Sequence, residues 1–268
     1  MQSAGVPASN GEQLTRELWA KDPDLSGDAI IVAARASNVT RFVCVGCDIP
    51  DSKLAIDFAG QRDDCWASVG IHPHEAQRYA TDLNLRSKFS ALAEQPKVVA
   101  IGECGLDYFY EHSPKADQIK VLQLQCELAI HVGLPMIFHV RDALDDFWPI
   151  FDSYTSENKS LRGVLHSFTD SAEQLDKALM RGLFIGVNGI ATFTKSDAQR
   201  AMYRSIPLEN IIFETDAPFL TPTPYRGSIN QSKYISVIAE FIAKLRGEPL
   251  EELARNSTRN ALNLFALT

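Results

Sequence analysis

The sequence predicts an α/β protein whose architecture is a (β/α)8 TIM-type barrel with the first strand missing or altered. Three observations carry this. Short valine-rich runs alternate with longer amphipathic segments along the chain. The runs are apolar throughout, as in a parallel sheet covered on both faces. A length of 268 residues is enough to fill one large barrel. A doubly wound open sheet is the second choice.

The elements follow in order. Asp28–Ala36 reads as a helix with no strand before it. Arg41–Cys47 (RFVCVGC) is the first strand in view, followed by a helix over Ser52–Gly60. Cys65–Ile71 is the next strand, with a helix over Leu83–Glu94 behind it. Lys97–Glu103 is the third strand and Lys115–Val132 its helix, in which Ile119, Leu122, Cys126 and Ala129 recur at helical spacing. Leu134–Val140 pairs with a helix over Ala143–Phe151, and Gly163–Ser167 with one that runs from Ser171 and stops near Gly182. Leu183–Asn188 and Asn210–Asp216 complete the strands, with a helix over Thr194–Ser205 between them and helices from Ser232 and Leu250 closing the chain. A barrel needs eight units, and residues 1–27 offer no convincing strand. They are expected to be an irregular segment or plug ahead of one domain over 28–268, or the sequence to begin inside the first βα loop.

Composition narrows the function classes. With Lys+Arg 26 against Asp+Glu 34 and a net charge of −8, a broad basic face for nucleic acid is not expected, while local phosphate recognition stays open. No apolar run approaches the roughly 18–20 residues of a membrane span, and the start, MQSAGVPASNGEQL, lacks the features of a secretory signal. The odd set of five cysteines, Cys44, Cys47, Cys65, Cys104 and Cys126, reads as reduced, buried thiols of a cytoplasmic protein. Cys44 and Cys47 have redox-motif spacing, but no second such pair exists and both fall in a strand.

Polar residues gather where barrel chemistry belongs, at the carboxyl ends of strands. Cys65–Ile71 ends in His72-Pro73-His74, the third strand in Glu103, the fourth in His139 with Arg141 two residues on, the fifth in His166, and the last in Glu214-Thr215-Asp216. Four of the six histidines thus stand at strand ends. Taken singly, His139 or His166 is more often a hydrogen-bonded core residue than a ligand, and Asp216 fits a turn cap. Glu103 directly after VVAIG needs a positive partner or a metal. Jointly, imidazole and carboxylate form the ligand set of Zn²⁺, Mn²⁺ and similar ions. His72 and His74 point to one side of an extended stretch, which suits metal or phosphate equally. Arg226, in the Pro-rich loop after the last strand, and Arg141 are candidate phosphate contacts, or solvated surface charges.

Several stretches together, GIHPHEA at 70–76, VVAIGECGLDY at 98–108, LPMIFHVRDA at 134–143, GVLHSFTD at 163–170, IGVNGIATF at 185–193 and ETDAPFLTPTPYRG at 214–227, resemble the TatD family of metal-dependent deoxyribonucleases. The resemblance implies a barrel of the metallo-dependent hydrolase kind that cleaves phosphodiester bonds of DNA, in some members as a 3′-to-5′ exonuclease. It implies one or two divalent ions, Mg²⁺, Mn²⁺ or Zn²⁺. Residue by residue, Glu103 resembles the bridging carboxylate, and His139 and His166 the ligands of one ion. Asp216 resembles a ligand of the other that also takes the proton of the attacking water. His72 and His74 resemble the phosphate-contacting pair. The family's usual first-strand His-x-His has no counterpart, since no histidine precedes Cys44. That gap predicts weak metal-dependent cleavage or none. DNA or another phosphodiester is the expected partner, and the expected protein is a monomer with no membrane contact. The alternatives are an amidohydrolase or lactonase on the same barrel and a degenerate, non-catalytic binding protein.

Overall fold

The structure, a computed structural model, describes residues 10–155 and 161–267. They group into two compact units, Arg41–His166 with the residues from Leu262 onward, and Ser167–Ala261 with the residues up to Thr40.

The first unit contains five parallel strands in chain order: β1 (Phe42–Val45), β2 (Cys65–Val69), β3 (Val98–Asp107), β4 (Met136–Arg141) and β5 (Gly163–Leu165). Ala67, Val69, Ile101, Cys104, Leu106, Met136 and Phe138 are buried along them, which is why these runs lack polar alternation. β3 runs past the expected end at Glu103, because pairing with β4 resumes after a register shift and sets Cys104 to Asp107 opposite Phe138 to Arg141. Gly105 allows this. Its φ is +153°, and a Cβ there would collide with the His139 carbonyl oxygen. Glu103 and Asp107 stand at alternating positions of one extended stretch, so both carboxylates leave the same face.

The helix Lys115–Val132 lies where its periodicity placed it, with Leu122, Cys126 and Ala129 buried and Ile119 only half-buried. Two of its glutamines hold the strand ends that carry the site. Gln125 accepts from Ile71 N (2.8 Å) and donates to Ile71 O (3.1 Å), while Gln118 accepts from Asp107 N (2.8 Å) and donates to Asp107 O (3.0 Å). Both glutamines are buried. A Gln125→Leu variant strands both polar groups of Ile71 and is expected to lose about 1–3 kcal/mol in denaturant unfolding. An unchanged midpoint would show that this clamp contributes nothing.

The second unit contains the parallel pair β6 (Phe184–Val187) and β7 (Ile211–Phe213). Ser257 accepts from Phe213 N (2.8 Å), and Asn260 donates to Leu208 O and Ile211 O. The helix Gly27–Ala36 starts at an N-cap on Ser26 and buries Ile30, Ile31 and Ala34. Among the described residues no strand precedes it. Residues 1–27, expected to be irregular, include a helix over Asn10–Lys21, where helix formers such as Glu12, Gln13, Leu14, Glu17 and Leu18 dominate the composition.

Other boundaries moved for local reasons. Ile49–Gly60 begins three residues before the expected Ser52 because Asp48 caps it, accepting from Asp51 N at 2.8 Å. The expected Thr194–Ser205 begins only at Asp197, capped by Ser196, and a separate short helix over Ile190–Phe193 precedes it. None of the five cysteines is in a disulfide. Cys65, Cys104 and Cys126 are buried, but Cys44 and Cys47 are half-buried rather than buried as expected. Burial pushes the Cys44 thiol up to about 11, against the opposing charge of Arg62. Among the described residues no helix is long and apolar enough to cross a membrane.

Candidate metal centre

Three strand ends of the first unit bring imidazoles to one carboxylate. Beyond β2 the chain passes through Gly70 and Ile71 to His72, whose N donates to Cys47 O at 2.9 Å. Gly70 has to be glycine, since a Cβ there would come 2.6 Å from Glu103 O. Glu103 N in turn donates to Gly46 O (3.1 Å), which fixes the backbone below its side chain. Around Glu103 Oε1 lie His139 Nδ1 at 2.8 Å, His72 Nε2 at 3.5 Å and His166 Nε2 at 3.8 Å. Donor atoms of His72, Glu103 and His139 all lie within 4.8 Å of one another, a spacing that one cation can share.

Asp107 extends this arrangement. Fully buried, it takes His139 Nε2 and His74 Nε2 on Oδ2, each at 3.0 Å. Its Oδ1 accepts from Phe109 N (3.0 Å) and Tyr110 N (2.9 Å). The charge of a buried carboxylate is thereby met by four donors. His139 faces a carboxylate at each ring nitrogen, so both nitrogens act as donors only in the imidazolium form. Burial pulls its pKa down, but the hydrogen bonds it donates to Asp107 and Glu103 outweigh that and hold it up at about 9. For Glu103, burial pushes up, yet the neighbouring His166 and the hydrogen bonds from His139 and His72 hold it well below the usual carboxylate range. Asp107 behaves alike, with burial outweighed by the hydrogen bonds from His139 and His74.

His72 differs from its neighbours. Burial, followed by the neighbouring His139, brings it down to about 4, so it stands neutral. His74 N donates to its Nδ1 at 3.2 Å. A neutral ring accepting there carries its proton on Nε2, the atom turned to Glu103. In this tautomer His72 offers a donor to an anionic oxygen, and ligation through Nε2 requires that proton to leave first.

His72, His74, Glu103, His139 and His166 are brought together in the first unit. Arg141 is exposed there, with its guanidinium over the rings of Phe109 (4.0 Å) and Tyr110 (4.8 Å). Asp216 and Arg226 belong to the second unit. Asp216 lies past β7 with φ +56°, and Arg226 donates to Thr221 O (2.9 Å) and covers the Phe193 ring at 4.0 Å. In the same unit Glu214 accepts from Ser167 N (2.7 Å), and Asn188 donates to the Ser167 hydroxyl (2.8 Å). Asp107 was not among the expected residues. The signal lay in the quoted stretch VVAIGECGLDY, where it falls four residues beyond Glu103.

The family model described as "TatD related DNase" matches residues 16–266. The chain is 37% identical to the uncharacterized metal-dependent hydrolase YabD of Bacillus subtilis, over 93% of this chain and 96% of that protein. It is 35% identical to the 3'-5' ssDNA/RNA exonuclease TatD of Salmonella typhimurium, over 95% and 97%. Among solved structures, the TatD homolog YJJV of Escherichia coli superposes with a TM-score of 0.84 at 25% identity, covering 92% of this chain and 95% of that one.

Proposed function

The chain belongs to the TatD family and is a metal-dependent hydrolase of ester bonds, and on that premise we propose that it is a nuclease cutting phosphodiester bonds of single-stranded DNA from the 3′ end. The observation that carries this is Glu103, a buried carboxylate with three imidazole nitrogens within 3.8 Å of one oxygen. That donor set suits Mg²⁺, Mn²⁺ or Zn²⁺.

In this reading Glu103, His139 and His166 would hold a divalent cation, His139 after releasing the Nδ1 proton that faces Glu103 while its Nε2–H stays on Asp107. When bound, such a cation neutralises charge on a phosphoryl oxygen and makes water acidic enough to attack at neutral pH. His72, with its proton on Nε2, donates to a phosphate oxygen, and His74, its Nε2 held by Asp107, is the second phosphate contact. Asp107 fixes the rings of His74 and His139, which a carboxylate partner orients and makes more basic. Arg141 adds positive charge at the exposed side. On sequence resemblance alone, Asp216 is proposed as a further ligand that accepts the proton of attacking water, and Arg226 as a phosphate contact. Residues 28–268 are proposed as the hydrolase domain and the cytoplasm as its place of action.

The test is cleavage of 3′- and 5′-labelled single-stranded oligonucleotides with Mn²⁺ or Mg²⁺, with a Glu103→Ala preparation as the control for contaminating nucleases. A ladder shortening from the 3′ end, absent with chelator and in the control, is the expected result. Lactone hydrolysis without any oligonucleotide cleavage would replace this reading with the amidohydrolase one.

A further inference from the structure

Phe109 and Tyr110, next to the candidate metal centre, are 54% and 47% exposed. We propose that these two rings, flanked by Arg141, form a stacking corner for the unpaired base beside the scissile phosphate. The proposal deepens the nuclease reading above and rests on it.

The rings meet edge to face, with centroids 4.8 Å apart and planes at 87°. A flat base lying on one ring therefore turns its own edge to the face of the other. The corner is held in place. Asp107 accepts from the backbone N–H of both residues, and His112 lies parallel to Tyr110 with centroids 5.7 Å apart. Neighbouring Tyr108 has a different cation over its face and its hydroxyl committed as well. Its hydroxyl donates to Asp146 (2.8 Å) and Lys115 covers its face at 3.9 Å. Phe109 and Tyr110 have instead a guanidinium at 4.0 and 4.8 Å, a planar cation that also stacks on bases and pairs with phosphate.

Position and charge fit the same occupant. The Tyr110 ring is 5.5 Å from that of His74, whose Nε2 shares Asp107 Oδ2 with His139. One carboxylate thus ties the corner to the residues around Glu103, and a base on the corner has its phosphate directed toward them. With a net charge of −8, general attraction for a polyanion is weak. Stacking supplies affinity that the charge does not, and only an unpaired base offers its face.

The test uses the full chain in chelator and two single-stranded decamers of thymidylate. One carries 2-aminopurine at its 3′ end and the other an abasic residue there. The wild type is expected to quench the 2-aminopurine and to bind that decamer more tightly than the abasic one. Phe109→Ala with Tyr110→Ala is expected to weaken that binding by about tenfold to a hundredfold, the loss typical of one stacked base, and to remove the quenching. The exchange Phe109→Tyr with Tyr110→Phe keeps both rings and is expected to keep both signals. Equal binding of the two decamers by the wild type, or unchanged quenching in the double alanine variant, would overturn the proposal. Metal is then returned to the same samples. Quenching without cleavage would overturn the nuclease reading, while cleavage that ignores the 3′ base in every variant would overturn the stacking corner and spare the nuclease.

Discussion

Glu103→Gln is expected to leave the fold standing and to lower metal-dependent cleavage by more than the ~10–100-fold that outer partners of a metal ligand cost. The amide keeps an oxygen that accepts from His139 Nδ1, now at 2.8 Å, so the ring retains a partner. What it loses is the negative charge around which His72, His139 and His166 gather. Thermal unfolding of the variant near that of the wild type, together with lost turnover, separates a chemical role from a structural one. Turnover within tenfold of the wild type would remove Glu103 from the chemistry.

Asp107→Ala is expected to do both kinds of damage. Its carboxylate accepts from two imidazoles and two backbone N–H groups with no exposure to solvent. Removing one partner of a buried charged set leaves the other uncompensated, at a cost of about 3–5 kcal/mol. His139 also loses the group that fixes its Nε2 side, so metal affinity is expected to fall by about 10–100-fold. Denaturant unfolding gives the first quantity and Mn²⁺ titration the second. Asp107→Asn, which keeps an acceptor but not the charge, is expected to fall between. An Asp107→Ala protein of wild-type stability and Mn²⁺ affinity would show that the carboxylate orients nothing.

The residues just named also mark how far the sequence could be read. Strand positions were legible because buried parallel strands are apolar throughout, so His139 and His166 stood out sharply where those runs stop. Glu103 was legible for the same reason. Asp107 was not, because β3 continues beyond Glu103 through Cys104, Gly105 and Leu106 only by pairing with β4 after a register shift. No local period announces such a pairing. The contacts that define the centre join residues 32, 33 and 36 positions apart, and spacing along the chain cannot say which imidazole meets which carboxylate. The roles of His72 and His74 depend on a backbone hydrogen bond from His74 N that sets the His72 tautomer, and composition carries no trace of it. The helix Asn10–Lys21 was legible in its residue types, which favour a helix, but its first residues carry no apolar run that a barrel strand needs.

The most direct measurement is diffraction from crystals soaked in Mn²⁺, with data collected at the manganese absorption edge. An anomalous peak beside the Glu103 carboxylate and the His139 imidazole, weakened in Glu103→Gln, is the predicted result. Manganese bound elsewhere on the chain, or a peak of undiminished height in that variant, would contradict a metal centre built on Glu103.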